Sequence, residues 1–124
     1  MLRLRKIHAA VFAAAFVAAT AATSPTAQPL QPAQVLATTI CTPSTVAEFP
    51  SRVHIRCTTA VSGILYFAVS TSNVNRAAHA LALFSTALAS GHDLRIYYDP
   101  ANTSGTAIGC LAADCRLADG VEML

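Results

Sequence analysis

A small β-rich α+β domain with one long helix is predicted by three features of the sequence. Several short segments alternate polar and apolar residues or run apolar at strand length; residues 75–90 have helical composition with no Gly or Pro; and four cysteines are placed to staple short elements. Length sets the scale, since 124 residues allow one small domain and leave no room for a large enzyme.

The N-terminal end is read apart from the rest. Residues 1–27 carry Arg3, Arg5 and Lys6, no acid, and an uncharged apolar run from Ala9 to Ala19. A basic start, an apolar stretch and small-residue sites such as Ala19-Thr20-Ala21 and Pro25-Thr26-Ala27 are the pattern of a secretory signal peptide, which export removes. The run is mostly alanine and is followed by Thr20 and Thr23, too weakly hydrophobic for a spanning helix of about 20 apolar residues. The expectation is a secreted chain with no membrane span, a signal peptide at 1–27, a proline-punctuated flexible lead-in at 28–34 and a domain at 35–124.

Removing the signal changes the electrostatics. Five Arg, no Lys and six acids remain, so the formal charge moves from +2 to −1. Neutralising phosphates needs clustered Lys and Arg, so nucleic acid is not an expected partner. About half of what remains is apolar, enough for one core but marginal at this size without staples or oligomerisation.

Cys41, Cys57, Cys110 and Cys115 all lie beyond the signal, and an even count in an exported chain argues for disulfides. Of three possible connectivities, Cys41 with Cys57 and Cys110 with Cys115 is favoured because each bridge then staples a local element. His54, His79 and His92 are scattered, so no metal site is expected.

The elements follow in order. Val35 to Cys41 suits a strand, ended by Thr42-Pro43-Ser44. Residues 52–57 alternate strictly: Val53, Ile55 and Cys57 share one face, which belongs to a core, and Arg52, His54 and Arg56 share the other. That second face sets two arginines and a histidine about 7 Å apart along the strand, a spacing suited either to holding an anion or to a solvated edge. After a Thr-Thr-Ala turn, Val61 to Ser70 is nearly continuous in apolar residues and reads as a strand buried on both faces, forming a hairpin with the one before.

Thr71-Ser72-Asn73 offers N-cap chemistry for a helix over 75–90, and Gly91 stands directly after it. Alanine and leucine extend most of the way round this helix, which predicts burial, in part against other copies of the chain. Asp93 to Tyr98 is a strand with Leu94, Ile96 and Tyr98 on one face and Arg95 and Tyr97 on the other. A last short strand is expected at 106–110, then a tight disulfide loop from Cys110 to Cys115, with 116–124 trailing off.

Catalytic motifs are missing. There is no Gly-rich phosphate loop, metal-binding helix motif or Gly-x-Ser-x-Gly elbow, and His92 and Asp93, being adjacent on a strand, would point to opposite faces. A non-catalytic protein without cofactors is expected.

The run from Ser90-Gly91 through Leu94-Arg95-Ile96-Tyr97-Tyr98-Asp99-Pro100 resembles the segment of subtilase-cytotoxin B subunits in which a helix ends at Thr-Gly and leads into an Arg-Ile-Tyr-Tyr-Glu-Pro strand. Cys110 and Cys115, preceded by Ala107-Ile108-Gly109, resemble that family's terminal cysteine pair, and Ile55-Arg56-Cys57 followed by 64–73 resembles its hairpin. Typhoid- and pertussis-toxin B subunits are similar more distantly. Coverage is about residues 52–116. The family's second hairpin cysteine has no counterpart near Phe67 or Ala68, so the resemblance gives its role as partner of Cys57 to Cys41; its Trp-containing loop and its sugar-holding serine have no match.

What the resemblance implies is an oligonucleotide/oligosaccharide-binding (OB) barrel, five copies in a ring with helices lining a pore, recognition of host cell-surface glycans (sialylated in the family), and delivery of a catalytic A subunit. Tyr98 matches the tyrosine that contributes to the family's sugar site, and Arg52, His54 and Arg56 complete the candidate glycan-binding residues. The alternative expectation is a stand-alone secreted interaction or inhibitor module that uses the 110–115 loop as its contact.

Overall fold

Strand alternation and one capped helix organise the chain, seen here in a computed structural model that describes residues 36–124. The expected signal peptide (1–27) and lead-in (28–34) lie outside the described residues.

Among the described residues, seven strands and one helix follow in the order β1 (Ala37–Cys41), β2 (Pro43–Phe49), β3 (Arg52–Val61), β4 (Ile64–Ser70), α1 (Val74–Ser90), β5 (Leu94–Tyr98), a 3₁₀ turn (Ser104–Ile108), β6 (Cys115–Leu117) and β7 (Gly120–Met123). They form a four-stranded sheet in the order β2-β3-β4-β6 and a three-stranded sheet in the order β1-β5-β7. All neighbours are antiparallel except β4 and β6, which run parallel with Tyr66 opposite Cys115.

Alternation in β3 and β5 supplies the inner faces. Val53, Ile55, Cys57, Leu94, Ile96 and Tyr98 are buried, and they join Phe67 and Val69 of β4 and Ala77, Ala80, Phe84 and Ala87 of α1 in a single core. Burying a side chain such as Phe67 or Phe84 contributes about 1.5–3 kcal/mol. The helix begins at Asn73, whose side-chain oxygen accepts from the Arg76 N–H at 3.0 Å, and stops at Gly91, whose N–H donates to the Ala87 carbonyl. One side of α1 is buried; Val74, Ala78, Ala82, Leu88 and Ala89 are exposed on the other.

Both favoured disulfides are present. Cys41–Cys57 ties β1 to β3 inside the core, and Cys110–Cys115 closes the loop before β6. That second bridge packs on the opposite face of the four-stranded sheet, where Ala68, Cys110 and Cys115 make a smaller apolar cluster flanked by Tyr66, Ile108 and Leu117. Residues 67–69 of β4 are thereby buried on both faces, as their apolar run predicts. Among the described residues no helix is long and apolar enough to cross a membrane.

Four expectations need correction. Residues 43–49 form β2, an edge strand that tolerates Pro43 because it stands at the first position. The hairpin turns at Ser62-Gly63, not at Thr58-Thr59-Ala60: both residues have positive φ, 51° and 82°, as a two-residue hairpin of type I′ requires. Residues 104–108 make a 3₁₀ turn rather than a strand. The C-terminal stretch does not trail off; it supplies β6 and β7, one to each sheet.

Candidate functional site

The face of the four-stranded sheet that turns away from the core carries the polar half of the β3 alternation. Cross-strand register places Thr45 beside Arg56, Ala47 beside His54 and Phe49 beside Arg52 on one side, and Tyr66 beside Arg56 on the other. The loop leading to β6 covers part of this face, because Cys110 and Cys115 cluster with Ala68 there. The uncovered part is a cavity of about 330 Å³, lined by Thr45, Arg52, His54, Tyr66, Gly109, Cys110, Leu111, Asp114 and Cys115. This falls within the usual size of a small-ligand site.

A row of rings crosses this face. Phe49 and His54 have centroids 5.1 Å apart, His54 and Tyr66 5.3 Å, and the Arg52 guanidinium carbon lies 4.2 Å from the Phe49 centroid. Partial burial, and secondarily the neighbouring Arg52 charge, push the His54 imidazole below its ordinary range, which favours the neutral ring.

Arg52 serves the loop. Its Nη1 donates to the Ile108 carbonyl at 2.7 Å, and the Ser51 hydroxyl donates to the same oxygen at 3.0 Å. Gly109 follows with φ 83°, and a Cβ there would overlap the guanidinium, so the close approach of loop to strand needs glycine on both counts. The Nε of Arg52 is buried with no partner. Arg52 therefore fixes the cavity wall through one N–H of its guanidinium. Arg56 donates to the Ser44 hydroxyl at 3.5 Å and stands outside the cavity lining.

Of the four residues expected at a sugar site, the fold brings Arg52 and His54 into the cavity, leaves Arg56 on the same sheet face beside it, and places Tyr98 elsewhere. Tyr98 is 4% exposed on the core side of β5, packed edge-on against Phe67 at 5.0 Å. Tyr66, Thr45 and Asp114 were not anticipated. The signal for Tyr66 was pairing register: opposite Arg56, it must share the polar face. Asp114 is the one charged residue of the 110–115 loop, and its backbone carbonyl accepts from the Leu65 and Tyr66 N–H groups at 2.8 and 3.0 Å, which hangs the loop from β4.

A larger groove of about 680 Å³ runs between Phe49-Pro50 and the helix residues Val74, Ala78 and Leu81. Only Glu48 and Thr71 among its lining residues have polar side chains, so it offers little to orient a polar ligand. Family models, curated proteins and solved structures yielded no match to the chain.

Proposed function

We propose that the mature chain is a secreted, non-catalytic carbohydrate-binding subunit with an OB-type barrel, of the kind that assembles as a homopentamer, binds host cell-surface glycans and delivers a catalytic A subunit. Strand order supports the barrel. β1 and β2, separated only by Thr42, act as one bent strand that serves both sheets, and β6 and β7 do the same at the other end. Counting each pair as one strand gives five, arranged 1-2-3-5-4 and returning to 1, with the helix between the third and fourth.

The observation that carries the function is the cavity's place in that order. OB barrels bind oligonucleotides and oligosaccharides on the face of their second and third strands, next to the loop joining the fourth and fifth. Here those are β3, β4 and the 99–114 loop, and they supply Arg52, His54, Tyr66, Gly109, Leu111 and Asp114 to the cavity. Between the two ligand classes, a formal charge of −1 beyond residue 27 and the absence of lysine there favour sugar over nucleic acid. An aromatic face beside hydrogen-bonding side chains suits a sugar ring, apolar on its C–H side and polar at its edge. Two disulfides accord with export to an oxidising compartment.

Assembly into a ring draws on the exposed small-residue side of α1, where Ala78, Ala82 and Ala89 permit close approach of a second helix, and on the resemblance of residues 52–116 to toxin B subunits. The stand-alone interaction module has one observation of its own, Leu111, which is 67% exposed on the disulfide loop. A glycan array with the purified mature chain tests the main reading, with light scattering on the same sample. Glycan binding by a particle of about five chain masses is expected. A folded protein that binds no glycan would end the receptor role, and a stable monomer at micromolar concentration would end the ring.

A further inference from the structure

Arg52 is the one arginine of the cavity lining, and the direction of its open N–H groups decides where a ligand oxygen can sit. Its Nη1 is engaged by the Ile108 carbonyl at 2.7 Å, and its Nε is buried. Nη2 makes no hydrogen bond to a described residue and is not among the buried atoms, so it is the donor left open. One hydrogen bond at Nη1 would still let the guanidinium turn about it, because a long arginine side chain has many rotamers to choose from. What opposes that turning is the Phe49 ring, over which the guanidinium carbon lies 4.2 Å from the centroid. The attraction of a planar cation to a ring face holds it there.

Phe49 is itself firmly placed. It pairs with Arg52 across the Pro50-Ser51 turn, which sets the two side chains next to each other on the outer face. Thr71 ties that turn down: its hydroxyl donates to the Pro50 carbonyl at 2.7 Å and its N–H to the Ser51 carbonyl at 3.2 Å. The Ser51 hydroxyl in turn donates to the Ile108 oxygen that holds Arg52. Register, turn and loop thus converge on one guanidinium, while the Phe49 ring stands outside the cavity lining and is 39% exposed. A leucine at this position would also give the groove beside α1 an apolar wall; what an aromatic ring adds is the face under Arg52.

Resting on the glycan-binding reading, we infer that Phe49 is a positioning residue of the cavity: it fixes the direction in which Arg52 offers Nη2 to an acceptor oxygen of the sugar, without touching the sugar itself. A hydroxyl oxygen or a carboxylate oxygen accepts from that group.

Two variants and two measurements test this. Phe49→Leu keeps the apolar wall and loses the ring, and Phe49→Tyr restores the ring. The first measurement needs no ligand: nitrogen-15 spectra of the mature chain follow the exchange of the Arg52 Nε–H with water, which burial makes slow. Phe49→Leu is expected to speed that exchange about tenfold, and Phe49→Tyr to leave it within about twofold. The second is calorimetric titration with lactose and with 3′-sialyllactose. Whichever sugar binds the natural chain is expected to bind Phe49→Leu about tenfold more weakly and Phe49→Tyr within about twofold. Unchanged exchange in folded Phe49→Leu overturns the inference, and so does faster exchange with unchanged affinity. A loss in Phe49→Tyr as large as in Phe49→Leu overturns it as well, since the ring would then not be what holds Arg52. Binding of neither sugar by the natural chain counts against the glycan reading, a separate failure, and the exchange rates then decide by themselves whether Phe49 fixes Arg52.

Discussion

The two faces of the four-stranded sheet are built from the same residues of β3 and β4 taken alternately, yet they meet opposite demands. Inward, Val53, Ile55, Cys57, Phe67 and Val69 are at most 3% exposed and share one core with the helix and the second sheet. Outward, Arg52, His54, Arg56 and Tyr66 are half-buried, and the apolar cluster among the described residues there is the small one under Cys110–Cys115. A one-residue slip in register would exchange the two sets, so the fold and the cavity are specified by the same pairing. Stability should therefore reside on one face and recognition on the other.

The largest expected effect tests that division directly. Phe67→Ala removes a fully buried ring and should cost about 3–5 kcal/mol, a large share of a small domain's total. Tyr66→Ala, one residue away on the outer face, should cost about 1 kcal/mol or less while abolishing the glycan binding proposed for this face. Urea unfolding of both variants measures the difference. Equal costs would mean that the outer face is part of the core in all but name.

The disulfides sharpen the same comparison at a smaller scale. Cys41–Cys57 spans 16 residues within the main core, and replacing both cysteines by serine should cost about 3 kcal/mol. Cys110–Cys115 spans 5 residues in the satellite cluster, so its removal should cost about 2 kcal/mol. The second double variant should stay folded but lose the proposed glycan affinity, because Leu111 and Asp114 then lack their fixed wall. If it keeps full affinity, the loop does not shape the site.

Much of the inner face was legible in the sequence. Strict alternation over 52–57 and 94–98, the Asn73 cap and Gly91 stop, and the local pairing of four cysteines each rest on nearest-neighbour chemistry. The outer face was legible only in part. Arg52 and His54 could be assigned to it by parity, but Tyr66 is hidden inside an apolar run, and only its register against Arg56 reveals its side. Asp114 depends on a parallel pairing of β4 with β6, a contact between segments distant in sequence that no local pattern announces. Tyr98 shows the reverse: its strand parity pointed to the core, and the core is where it lies. β2 was missed because Pro43, Ser44 and Thr45 read as a terminator, whereas an edge strand needs only one partner and accepts proline at its first position.

The smallest effect comes from pH, and it too divides the faces of the four-stranded sheet, since inward Val53, Ile55, Phe67 and Val69 carry no ionisable group and Cys57 is bridged. On the outer face, burial and the Arg52 charge hold His54 below its ordinary value of 6.5. Above 6.5 both folded and unfolded chains carry the neutral ring, and this residue contributes no pH dependence. As the pH falls below 6.5 the unfolded chain takes up a proton that the folded one refuses, so stability falls, and the loss is complete once the pH passes the depressed folded value. Melting temperatures at pH 7.5 and pH 5 should therefore drop further on acidification in the natural chain than in His54→Gln, whose side chain keeps a polar group but does not titrate. An equal drop in both would show that His54 meets solvent freely, and with that the ring row of Phe49, His54 and Tyr66 would no longer be the wall of a cavity.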